Sequence, residues 1–166
     1  MRIRHVLSVV LLIASCSKKS DSGGGGAKEE RPAPVEIKIH KVEKLELVAP
    51  NQTYIDQGLA KKPAAGKIFV CVQYEATSKS DKPETLPPPN LTDGKGAKID
   101  VSSNAAGGYL PADWERDPLG KLEPGKTIKR ADCFEVATDA TTGMSLGYVD
   151  TGWGPKFKPW HLSVPL

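Results

Sequence analysis

A chain of 166 residues is long enough for one domain of ordinary size together with an export signal and a tether. Hydrophobic residues at 39% and charged residues at 26% resemble an average water-facing domain, while 16 Gly and 14 Pro exceed the roughly 12% combined share of an ordinary chain and point to many turns. The net charge of +3 falls nearly to neutral when residues 1–15, with Arg2 and Arg4, are set aside. The scattered lysines then offer no basic patch for nucleic acid.

Met1, Arg2, Ile3, Arg4 and His5 form a short basic start, and residues 6–14 are apolar except for Ser8. As a helix the apolar run would span about 14 Å, less than half the roughly 30 Å of a bilayer core, so it reads as a signal sequence rather than a membrane span. Ile13-Ala14-Ser15-Cys16 resembles the bacterial lipobox, an aliphatic and two small residues before a cysteine. The resemblance implies that residues 1–15 are a lipoprotein signal peptide and that the Cys16 thiol takes a diacylglycerol. Cleavage before Cys16 and acylation of the new amine would follow, giving the multiple acyl chains that stable anchoring requires. Ser17 after the lipidated cysteine implies the outer membrane where the bacterium has one.

Residues 16–34 contain Gly23, Gly24, Gly25 and Gly26 and no aliphatic side chain larger than Ala. They cannot bury a core, so they are expected to be a disordered tether of roughly 20–25 Å average span. Residues 35–166 are expected to form the folded domain. Val35, Ile37 and Ile39 alternate with Glu36, Lys38 and His40, which predicts a half-buried strand. Residues 42–47 suggest a helical turn ended by Pro50. Residues 66–77 are the strongest strand, with Ile68, Val70, Val72 and Tyr74 facing the core and Phe69, Cys71, Gln73 and Glu75 facing away. Pro87-Pro88-Pro89-Asn90 and Thr92-Asp93-Gly94 mark turns, the second of hairpin type, before a short run at 98–101. Pro111 to Arg116 allows one helical turn. Pro124-Gly125 precedes a second clear strand at 127–137, with Phe134 and Val136 inward and Cys133 and Glu135 outward. Weaker strands are expected at 145–150 and 157–164. About seven short antiparallel strands predict an all-β two-sheet sandwich.

With Cys16 lipidated, Cys71 and Cys133 remain of the three cysteines. In an oxidising compartment an even pair favours a disulfide, here across the outward faces of two antiparallel strands. A loop of that length would stabilise the fold by roughly 4 kcal/mol. Two free thiols, or a redox pair, are the alternatives. A redox pair usually has Cys-x-x-Cys spacing, which this pair lacks.

No catalytic constellation stands out. His40 and His161 are the two histidines beyond the signal, each expected on a strand surface, and no Gly-x-Ser-x-Gly elbow occurs. Asp113, Glu115 and Asp117 read as a solvated acidic loop without the EF-hand pattern. No metal or cofactor is expected. Tyr109, Trp114, Trp153 and Trp160 are the candidates for ligand or partner binding; plugging the ends of the core, with each indole N–H bonded to a backbone carbonyl, is the competing role.

Gly66-Lys67-Ile68-Phe69-Val70-Cys71-Val72, Leu122-Glu123-Pro124-Gly125 and Phe134-Glu135-Val136 together resemble the immunoglobulin-like domains of unknown function that follow lipoprotein or membrane anchors in bacteria. The resemblance covers roughly residues 35–149 and departs from the family at Ser78, where Asn is frequent, and at Ala137, where Pro is. It implies an immunoglobulin-like sandwich and no activity. The expected function is therefore that of a non-catalytic envelope module, held on the membrane by its lipid anchor, that binds an envelope protein or extracellular ligand. The alternative is a structural accessory lipoprotein without a ligand of its own.

Overall fold

The computed structural model describes residues 30–105, 108–109, 114, 121–151 and 158–166. The signal peptide, Cys16 and most of the tether, the acidic residues 113, 115 and 117, and Trp153 lie outside them. Nine strands run through the described residues: β1 (Val35–Leu45), β2 (Lys67–Ser78), β3 (Glu84–Thr85), β4 (Asn90–Thr92), β5 (Lys98–Asp100), β6 (Lys121–Leu122), β7 (Thr127–Ala137), β8 (Ser145–Asp150) and β9 (Trp160–Pro165). One short helix, α1 (Gln52–Asp56), lies between β1 and β2, and a 3-10 turn (Thr138–Ala140) follows β7.

Every pairing is antiparallel. A three-stranded sheet has the order β1-β2-β7, a four-stranded sheet the order β5-β4-β8-β9, and β3 pairs with β6. The two larger sheets face one another as a sandwich. Val70, Val72, Tyr74 and Ala76 of β2 and Phe134 and Val136 of β7 project from one side. Leu91, Leu146, Tyr148 and Trp160 project from the other, in one continuous core. The alternation of β2 produces this: Val70, Val72, Tyr74 and Ala76 are fully buried between the sheets.

β1 departs from the sequence expectation. No helical turn forms at 42–47, because the strand continues to Leu45. The alternation breaks at His40, where an extra residue separates the pairs Ile39–Tyr74 and Lys41–Gln73. This bulge moves the core-facing positions from odd to even numbers, so that Val42 rather than Lys41 follows Ile39 on the inner face. The sequence loses its period of two at this point, and a lost period imitates a helix.

The turn from β4 to β5 is built by Asp93. Its carboxylate accepts from Lys95 N and Ala97 N, both at 2.9 Å, and its backbone N–H donates to Ala97 O at 2.9 Å. Gly96 supplies the positive φ of 86° that the turn needs. Gly94 is required for a different reason: a Cβ there would stand 2.0 Å from the carbonyl oxygen of Thr142.

Candidate functional site

Three features of the fold gather polar or exposed chemistry, and the first is the outer face of the three-stranded sheet. Cys71 and Cys133 stand directly opposite one another on β2 and β7. They are joined by a bond of 1.98 Å between the Sγ atoms, with their Cα atoms 4.0 Å apart. The Cys133 carbonyl points away from β2 and accepts from Ser102 N at 2.8 Å, as expected for a non-hydrogen-bonded cross-strand pair. The outward placement of these cysteines needs correction: Cys71 is 0% and Cys133 5% exposed. Val48 and Ala105 lie over them with Phe69, forming a second small core on the back of the sheet. Two connections, after β1 and after β5, therefore cover the face that the alternation assigned to solvent.

The connection after β5 continues along this face. Beyond Ala105, the Tyr109 hydroxyl donates to the Glu43 carboxylate, and Gln73 Nε2 donates to the Tyr109 oxygen at 2.6 Å. Lys41 Nζ lies 2.8 Å from the other Glu43 oxygen. The hydrogen bond from Lys41, with that from Tyr109, holds the Glu43 carboxyl below its ordinary range against the opposing effect of burial. Burial, with the Glu43 bond, pushes the Tyr109 phenol up to about 12. A cavity of about 120 Å³ adjoins this group, lined by Val101, Ser102, Tyr109, Ala131 and Cys133 among others. Farther along, the Trp114 ring packs edge-on against His40 at 5.7 Å between ring centres, and Lys129 Nζ lies 5.7 Å from the Trp114 ring centre. His40 Nε2 pairs with Glu75 at 3.1 Å.

The second feature lies at the edge of the main core. Tyr148 donates to the Tyr74 hydroxyl at 2.5 Å, which donates to Asp132 Oδ2 at 2.6 Å; Arg130 Nε stands 3.6 Å from the same oxygen. Burial pushes both phenols well above their ordinary value. Neither tyrosine was a sequence candidate. Asp132 shares the inward parity of Phe134, so a carboxylate on the core face was visible, but its tyrosine partners were not.

The third feature is α1 and its flanks, where Tyr54, Ile55 and Leu59 are exposed. Sequence reasoning passed over this segment. The available signal was a group of large apolar side chains within an otherwise polar stretch.

The aromatic candidates are thus placed as follows. Trp160 is 1% exposed in the main core, and its indole N–H donates to the Asp150 carboxylate at 3.2 Å rather than to a backbone carbonyl. Trp114 is 8% exposed and Tyr109 is half-buried in its hydrogen bonds. These three do not form an open aromatic patch, because each packs on a sheet. His161 lies on β9 and pairs with Glu30 at 2.9 Å. Among the described residues no three His, Cys, Asp or Glu side chains gather in one place.

No family model and no curated protein matches the chain. Solved structures of similar shape exist. A candidate lipoprotein (ycdA) of Bacillus subtilis is 13% identical with a TM-score of 0.50, over 84% of this chain and 39% of that one. A conserved hypothetical protein of Bacillus anthracis is 16% identical with a TM-score of 0.49, over 68% of this chain and 80% of that one. An uncharacterized β-sandwich protein of Clostridium difficile is 11% identical with a TM-score of 0.44, over 86% of this chain and 99% of that one. The chain thus spans well under half the length of the Bacillus subtilis protein, and at these identities the likeness to it extends to the fold.

Proposed function

We propose that this chain is a lipid-anchored, non-catalytic module of the bacterial envelope, with an immunoglobulin-like sandwich that engages another envelope component. The observation that carries the extracytoplasmic placement is the Cys71–Cys133 bond, set across the middle of the principal sheet and sealed beneath two connections. Such a bond forms and persists in an oxidising compartment. The anchor is read from residues 1–16, where a basic start, an apolar run and Ile13-Ala14-Ser15-Cys16 stand in order. The candidate-lipoprotein name of the Bacillus subtilis protein describes the same kind of anchoring, and Ser17 favours the outer membrane.

The burial of Trp114 and Trp160 favours a second reading, an accessory lipoprotein with no ligand of its own. Both readings require the lipid. Cells producing the full chain and its Cys16→Ser variant, grown with radiolabelled palmitate and fractionated, test it. The full chain is expected in the detergent-extractable membrane fraction with label, and the variant without label and uncleaved at position 16. Equal fractionation and labelling of the two would overturn the proposal.

A further inference from the structure

The covering over the disulfide is unequal at its two sulfurs. Cys71 is 0% exposed and clusters with Val48, Phe69 and Ala105. Cys133 is 5% exposed and stands on the wall of the cavity of about 120 Å³, which Cys71 does not line. Ala131 and Cys133 share the outer parity of β7, while Asp132 between them turns its carboxylate to Tyr74 of the main core. The Cys133 side chain therefore faces the cavity beside that of Ala131. The remaining described walls come from the connection after β5, and none comes from β2, the strand of Cys71. β7 is the outer strand of its sheet, and Ser102 N ties that connection to its free side through the Cys133 carbonyl.

The chemistry of the wall selects what enters. Its polar side chains are engaged elsewhere. Ser102 Oγ donates to Glu135 Oε1 at 3.1 Å and accepts from Ala105 N at 3.3 Å, and Tyr109 is held by Glu43 and Gln73. What faces the space is a disulfide sulfur, an electrophile toward thiolates. A nucleophile in the cavity meets Cys133 from the side away from Cys71, close to the S–S line along which displacement at sulfur proceeds. A cavity of about 150 Å³ can hold benzene, so this smaller one suits an aliphatic thiol of a few heavy atoms.

We propose that Cys133 is a site of reversible thiolation by a small aliphatic thiol, reached through this cavity, with Cys71 as the sulfur that reverses it. The thiolate forms a bond to Cys133 Sγ, the bond to Cys71 breaks, and Cys71 leaves as a thiolate that takes up a proton. Return attack by Cys71 on Cys133 expels the small thiol and restores the original bond. Attack by a second small thiol on the bound one releases their oxidised dimer and leaves a Cys133 thiol. The lipid anchor has no part in these steps. In the test, the purified full chain is mixed with excess cysteamine without denaturant, quenched in acid, digested and mapped by mass spectrometry. The adduct is expected on the Cys133 peptide and not on that of Cys71. Loss of the disulfide is expected in proportion to thiol concentration and independent of urea below the unfolding transition. Ala131→Leu, which fills the cavity, is expected to slow that loss about tenfold. The first two readouts need no variant and decide alone if Ala131→Leu does not fold. Adducts shared by both cysteines, or a rate that climbs with urea below the transition, would mean that the bond opens only on unfolding and would overturn the proposal. A folded Ala131→Leu protein reacting at the unaltered rate, or a disulfide that cysteamine leaves intact, would overturn it as well.

Discussion

Tyr148, Tyr74 and Asp132 form a hydrogen-bonded chain in which each hydroxyl donates toward the carboxylate. A third tyrosine, Tyr109, donates to Glu43. All three phenols are raised above the ordinary value of 10.0, chiefly by burial, and Tyr109 to about 12. The folded state thus keeps protons that the unfolded chain would lose. Their stabilising effect is complete below about pH 10 and is lost as pH rises toward and through 12. Near-ultraviolet phenolate absorbance, followed upward from pH 10, is expected to show less than half of the four tyrosines ionising before a cooperative unfolding step releases the rest. Smooth titration of all four around pH 10 with the fold intact would contradict the network. At this scale the sequence was partly legible. Alternation placed Tyr74 on the core face of its strand, and Asp132 shares the parity of the inward Phe134, but the meeting of Tyr74 with Tyr148 joins two sheets and depends on packing that no local period encodes.

Strands were the most legible elements and the coverings of strands the least. Residues 127–137 and 145–150 are strands with the bounds their alternation gives, because a half-buried sheet imposes a period of two on its sequence. The same logic failed at His40, where one bulged residue resets the period, and at Cys71 and Cys133. Their face is the second face of the sheet by parity, yet Val48 and Ala105, from distant connections, lie over it. Deletion of His40 makes the ladder continuous, with Ile39, Lys41 and Val42 against Tyr74, Gln73 and Val72. A folded protein is expected, with a loss of about 1 kcal/mol for the contacts with Glu75 and Trp114, read from the urea midpoint. A variant that cannot fold would contradict the bulge. The disulfide is the opposite case. It closes a 62-residue separation, so Cys71→Ala with Cys133→Ala is expected to cost roughly 4 kcal/mol, and a midpoint unchanged in urea would contradict its structural role.

Across the whole molecule, the sandwich joins two sheets around one core and carries a second small core on the outer face of the three-stranded sheet. The chain enters it beside Glu84 and Pro159, and the connection after β1 folds back so that Val48 covers the disulfide. The sandwich itself followed from strand count and turn spacing. The exposure of Tyr54, Ile55 and Leu59 did not, because an exposed apolar residue leaves no periodic trace and is recognised only when the surface is in view. On the proposed reading, Cys16 and the disulfide together make the protein an anchored extracytoplasmic module. The intact mass of the mature protein, taken before and after thiol alkylation without reductant and again after reduction, tests this most directly. The account predicts a chain beginning at Cys16 with two or three acyl chains, no alkylation until reduction, and then two labelled thiols. A mass without lipid, or two thiols labelled before reduction, would contradict it.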